Sequence, residues 1–114
     1  MATVHVIDGK CTEARAPDGT RLAVYEWGQL SGPEVLLIHG FASNHTVNWV
    51  NTSWVRTLTG AGRRVIALDN RGHGRSGKLY DPEAYGSDLM AEDARRLLDH
   101  LDIPRADVMG YSMG

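Results

Sequence analysis

The chain has 114 residues, 42% hydrophobic and 23% charged, which fits one soluble globular domain or part of one and excludes disordered and collagen-like classes. Lys and Arg total 12 against 14 Asp and Glu, a formal net charge of −2 that is too near neutral to mark a nucleic-acid or anionic-membrane surface. The strongest apolar run, Val35 to Ile38, falls far short of the roughly 18 residues of a bilayer span. A lone Cys11 cannot close an internal disulfide, and the first eight residues lack the basic and apolar regions of a secretory leader, so a cytoplasmic protein is expected.

In chain order, Thr3 to Ile7 and Arg21 to Gly28 show partial period-2 alternation on either side of Pro17-Asp18-Gly19-Thr20, which has the Pro and Gly placement of a tight turn. This predicts an antiparallel start of two or three strands. After Ser31-Gly32-Pro33-Glu34, the unbroken run Val35 to Ile38 reads as a strand covered on both faces, the first parallel strand. A loop from His39 to about Asn48 leads into a short amphipathic helix on which Trp49 or Val50, Trp54, Leu58 and Ala61 recur at close to helical spacing, ending near Gly60 and Gly62. Arg64 to Asp69 is a second buried strand. The clearest helix carries Met90, Ala94, Leu97, Leu98 and Leu101 on one face, with Glu92, Asp93, Arg95, Arg96 and Asp99 mostly turned away and Pro104 just beyond its end. Asp107 to Tyr111 opens a last short strand. Alternating strands and helices from Val35 onward imply an α/β fold with a parallel sheet and crossover helices.

Three glycine-rich segments follow the three predicted parallel strands. Gly110-Tyr111-Ser112-Met113-Gly114 reads G-x-S-x-G at a strand end, where a serine must sit on a very tight strand-to-helix turn and the small residues Gly110 and Gly114 avoid collision. By itself the motif is short, and glycine and serine are common in loops. His39-Gly40-Phe41 follows the first parallel strand, where Gly40 would let the chain approach a substrate closely. The Phe41 and Met113 N–H groups are then candidate oxyanion donors. His39 and His73 are read as loop braces rather than bases. Asp69-Asn70-Arg71-Gly72-His73-Gly74-Arg75-Ser76-Gly77 contains both G-x-G-x-x-G and the first seven positions of a P-loop, but Leu79 stands where the latter needs Ser or Thr, and Pro82 separates the loop from any helix N-terminus. A structural loop tied by Asp69, Arg71 and His73 accounts for it better than a nucleotide site. The histidines show no metal-ligand spacing, so no metal and no cofactor are expected. Asn44-His45-Thr46 and Asn51-Thr52-Ser53 match a glycosylation pattern that has no meaning without secretion. Trp27, Trp49 and Trp54 read as core more readily than as a pocket mouth.

Taken together and in this order, the three segments resemble the α/β-hydrolase family over essentially the whole chain. The resemblance implies the N-terminal part of that fold, one incomplete domain over 1–114 that ends at the nucleophile turn. It implies a serine nucleophile at Ser112, oxyanion donors at Phe41 and Met113, and an acid and a histidine later in the order, after Gly114. The implied activity is hydrolysis of a carboxylic ester or related acyl bond in a small-molecule substrate through an acyl-enzyme, with little turnover expected of the 114 residues alone. A serine rather than an aspartate nucleophile argues against epoxide-hydrolase and dehalogenase chemistry. The rival reading is a non-catalytic, truncated or partner-binding member of the same fold.

Overall fold

The computed structural model describes residues 6–40, 43–78 and 85–111, apart from the side chains of residues 6–8 and 87. Strand β1 (Val6–Arg15) turns through Pro17-Asp18-Gly19-Thr20 into β2 (Arg21–Gln29), an antiparallel hairpin with a bulge between Asp8 and Lys10. The turn is closed by the Ala16 N–H on the Thr20 carbonyl at 2.9 Å and by the Thr20 N–H on Asp18 Oδ1 at 3.1 Å. Strand β3 (Glu34–Ile38) and strand β4 (Arg64–Leu68) pair in parallel, and β4 also pairs antiparallel with β2. Strand β5 (Asp107–Gly110) adds in parallel on the other side of β3, so the sheet runs β1-β2-β4-β3-β5. An antiparallel start followed by parallel strands is the architecture that the sequence predicts.

Apolar residues on both faces of the middle strands explain why helices cover both sides. One face carries Leu22, Val24, Leu36, Ile66 and Leu68 and packs against Ala94 and Leu97 of α2 (Ser87–His100) and against Ile103. The other carries Val35, Leu37, Val65 and Ala67 and packs against Trp49 and against Val55 of α1 (Trp54–Gly60). No helix among the described residues is long and apolar enough to cross a membrane.

Two expectations need correction. The single helix through Trp49 and Ala61 is instead a π-helical turn over Thr46–Val50 followed by α1, separated by Ser53 at a left-handed φ of 69°. That break changes which side faces the sheet: Val55 is buried, while Trp54, assigned to the core from its spacing, is 42% exposed. On α2, the helical spacing predicts Asp93 on the outer face, but it is 1% exposed. Its partner is the equally buried Arg71, whose Nε and Nη2 donate to Asp93 Oδ2 and Oδ1 at 2.7 and 2.8 Å. Arg71 Nη1 reaches in the other direction to Asp18 Oδ2 at 2.9 Å, so one guanidinium joins the hairpin turn, the loop after β4 and α2.

Removing one member of such a pair leaves the other charge buried and unmatched, which costs about 3–5 kcal/mol, whereas replacing both with apolar groups of similar volume is close to neutral. Arg71→Met is therefore expected to lower the unfolding free energy by about that amount, and Arg71→Met with Asp93→Leu to recover most of it, as read from urea denaturation midpoints. Equal losses in the single and double variants would contradict the assignment.

Candidate active site

Crossover direction reverses at β3: the chain leaves it to form β4 on one side and later returns to form β5 on the other. In open α/β sheets the loops from two such strands part to opposite faces and leave a crevice beyond their C-terminal ends, where ligands bind. By that rule the strand order puts the expected crevice between the ends of β3 and β5. Ile38 pairs with Gly110, and the Tyr111 N–H donates to the Ile38 carbonyl at 3.2 Å, so the sheet stays closed up to the last described residue.

His39 and Gly40, which follow β3, are buried. The Gly40 N–H donates to Asn48 Oδ1 at 2.7 Å, which fixes the start of the loop and commits that N–H to the side chain. His39 is fully buried and uses both ring nitrogens, with Nδ1–H donating to the Gly40 carbonyl at 2.8 Å and Nε2 accepting from the Asn70 N–H at 2.9 Å. These partners fix a neutral tautomer. Burial holds its pKa below the ordinary histidine value, and neither nitrogen is left to take a proton from a substrate or nucleophile. His73 packs against it with ring centroids 5.1 Å apart, and its Nδ1–H donates to the Arg71 carbonyl at 3.0 Å.

Asp69, just past β4, is the hub. It is 1% exposed, and its Oδ1 accepts from the His45 N–H at 3.0 Å and from His45 Nδ1–H at 2.9 Å. Its Oδ2 accepts from the Tyr25 hydroxyl at 3.0 Å and from the Arg75 N–H at 3.1 Å. The His45 ring lies nearly flat on Tyr25, centroids 3.5 Å apart. Burial alone would raise the Asp69 pKa, but the hydrogen bonds from His45 and Arg75 outweigh it and hold the carboxyl down at about 2. Burial first, and then the Asp69 charge, push the Tyr25 hydroxyl up, so it stays a donor.

Glycines give the next loop access to that carboxylate. Gly74 has φ 51°, and a Cβ there would overlap the Asp69 side chain. Gly72, at φ 78°, would meet the ring of Tyr85 in the same way. Buried Ser76 accepts the Ala23 N–H at 2.9 Å and donates to the Asp69 carbonyl, which ties the loop back to β2.

Of the residues singled out in the sequence, His39, Gly40, Asp69, Arg71, Gly72, His73 and Gly74 thus lie at or just beyond the strand ends, and Gly110 closes β5. Phe41, Ser112, Met113 and Gly114 lie outside the described residues. Sequence reasoning missed His45, Tyr25 and Asn48. The available signal was indirect: an aspartate just past the apolar run Val65–Leu68 needs donors, and those come from elements 24 and 44 residues away. Among the described residues, no group of His, Cys, Asp or Glu could hold a metal ion.

Residues 33–114 match the family of the alpha/beta hydrolase fold. The chain is 36% identical over 96% of its length to 30% of the dihydrolipoyllysine-residue acetyltransferase component of the acetoin cleaving system of Pseudomonas putida. It is 38% identical over 73% of its length to 22% of epoxide hydrolase B of Mycobacterium tuberculosis. A crystal structure of a hydrolase from Pseudomonas aeruginosa superposes with a TM-score of 0.83 at 30% identity, covering 93% of this chain and 38% of that one. The chain spans less than a third of the length of the two curated relatives, 30% of one and 22% of the other.

The depressed pKa of Asp69 sets an acid limit on stability. The shift from 3.8 to about 2 corresponds to about 2 kcal/mol. Because the folded value lies below the unfolded one, this contribution is complete above the unfolded pKa and is lost as pH falls through about 4 toward about 2. Asp69→Asn is expected to lower stability at neutral pH and to flatten this acid limb in urea denaturation between pH 7 and pH 2. An acid limb of unchanged steepness in the variant would assign it to other carboxylates.

Proposed function

Because the chain belongs to the alpha/beta hydrolase fold family, we propose that it carries the nucleophile and oxyanion donors of a serine hydrolase that cleaves a carboxylic ester or related acyl bond. The observation that carries this reading is the pairing of Ile38 with Gly110. In the sequence Ser112 is the second residue after Gly110 and Phe41 the third after Ile38, so the paired strand ends lead directly into both candidate segments. Acyl transfer requires a hydroxyl and main-chain N–H donors at one place, and the pairing of these two strand ends supports that reading.

In the proposed reaction a base removes the Ser112 proton as Oγ attacks the acyl carbon. The oxyanion is stabilised by the Phe41 and Met113 N–H groups, the leaving group departs with a proton, and water then releases the acid. Neither His39 nor His45 suits the role of that base in this reading. His39 has no free nitrogen. His45 sits over β2, three strand steps from β5, or about 14 Å at the usual interstrand spacing. The acid and base of the triad belong, in this reading, to sequence after Gly114.

Serine at position 112 also bears on the choice between acyl and epoxide substrates. A serine oxygen that opened an epoxide would be left in an ether, which water does not cleave under mild conditions. The same oxygen on an acyl carbon forms an ester that water hydrolyses, so only acyl substrates regenerate the residue.

A fluorophosphonate is expected to label Ser112 in a longer protein containing this sequence and its C-terminal continuation, and Ser112→Ala to abolish both labelling and ester hydrolysis. The 114 residues alone are expected to react far more slowly, lacking the base. Mass spectrometry of the peptide carrying Ser112 reads both results. Ester turnover that survives Ser112→Ala would overturn the reading.

A further inference from the structure

A surface cavity of about 620 Å³ opens between the β1–β2 hairpin and the glycine-rich loop after β4, within the size range of small-molecule sites. The cations of Arg21, Arg75 and Lys78 line it, and Glu13 is its one carboxylate. The chain as a whole carries a net charge of −2, so a local excess of positive charge is a feature of this place rather than of composition.

The walls are held before any ligand arrives. Ser76 bridges the Ala23 N–H and the Asp69 carbonyl, the Gly77 N–H donates to the Arg21 carbonyl at 2.7 Å, and the Arg75 N–H is fixed on Asp69. The cations differ in how far they are committed. Lys78 Nζ donates to the Gly74 carbonyl at 2.7 Å and to the Ser76 carbonyl at 3.4 Å, which leaves one of its three N–H groups. Arg21 makes only a long, exposed contact with Glu13, at 3.5 Å. Among the described residues, the Arg75 guanidinium has no hydrogen-bond or ion-pair partner.

We propose that this cavity binds a small phosphate-bearing anion, with Arg75 as the main clamp and Arg21 and Lys78 beside it. The planar fork of arginine matches two oxygens of a phosphate group. With Glu13 in the same cavity, three cations leave an excess of two charges, which a doubly charged phosphate group matches and a single carboxylate does not. The loop carries the G-x-G-x-x-G pattern, but α2 begins only at Ser87, so the phosphate is held here by side-chain cations and not by a helix N-terminus. The inference is independent of the hydrolase chemistry.

Cys11, the chain's single cysteine, is exposed and lines the cavity, so its alkylation reports occupancy. Pyrophosphate is expected to slow the reaction of Cys11 with neutral iodoacetamide several-fold, and sodium chloride at equal ionic strength to leave it nearly unchanged. Arg75→Gln is expected to remove most of the protection, and Lys78→Gln part of it. Arg95→Gln, on the exposed face of α2, is expected to remove none. Thermal melting of each variant shows whether it is folded, and wild-type protection by pyrophosphate is informative without any variant. The proposal is overturned if pyrophosphate and matched chloride act alike, or if folded Arg75→Gln is protected as well as the wild type.

Discussion

The polar end of this sheet depends on one carboxylate with four donors. Asp69 follows a strand that is buried along its whole length and apolar from Val65 to Leu68, a place where an ion survives only if its oxygens are fully engaged. The donors come from β2, from the loop after β3 and from the loop after β4, so satisfying the charge also fixes three backbone segments relative to one another. The same carboxylate fills the space that Gly74 leaves open, and its backbone carbonyl holds Ser76. Rigid loops at strand ends are thus a by-product of burying a negative charge.

The neighbouring histidine works differently. His39 is neutral, sealed and doubly hydrogen-bonded, and links Gly40 to Asn70. Asn48 secures the Gly40 N–H from the other side. The chain therefore enters the segment after Gly40 from a defined position. A main-chain oxyanion donor needs such an entry, because its contribution depends on being in place before charge develops. The Arg71 guanidinium extends the order outward, to Asp18 in the hairpin turn and Asp93 on α2.

Much of this was legible in the sequence because it is local. Uninterrupted runs such as Val35–Ile38 and Arg64–Leu68 leave little choice but a strand covered on both faces, and Pro17-Asp18-Gly19-Thr20 forces a turn. What escaped is long-range or depends on a single dihedral. Asp93 looks like a solvent-facing helix residue until Arg71, 22 positions away, is brought against it. Trp54 fits a helical stripe through Trp49, but one residue in the left-handed region at Ser53 resets the helical phase and sends Val55 inward in its place. His45 carries no local mark at all, since only the assembled sheet puts Tyr25 beneath its ring and Asp69 beside it.

Strand β4 is bonded on both sides and in opposite senses, antiparallel to β2 and parallel to β3. A slip of one residue would carry Asp69 about 3.3 Å along the strand axis and invert every side chain, breaking two ladders at once. Among the described residues, the outer strand β1 pairs with β2 alone and already contains a one-residue irregularity beside Gly9. Length changes during evolution should therefore accumulate in that outer hairpin, while the spacing from Arg64 to Asp69 stays fixed, because it works as the ruler that sets the height of the polar cluster above the sheet.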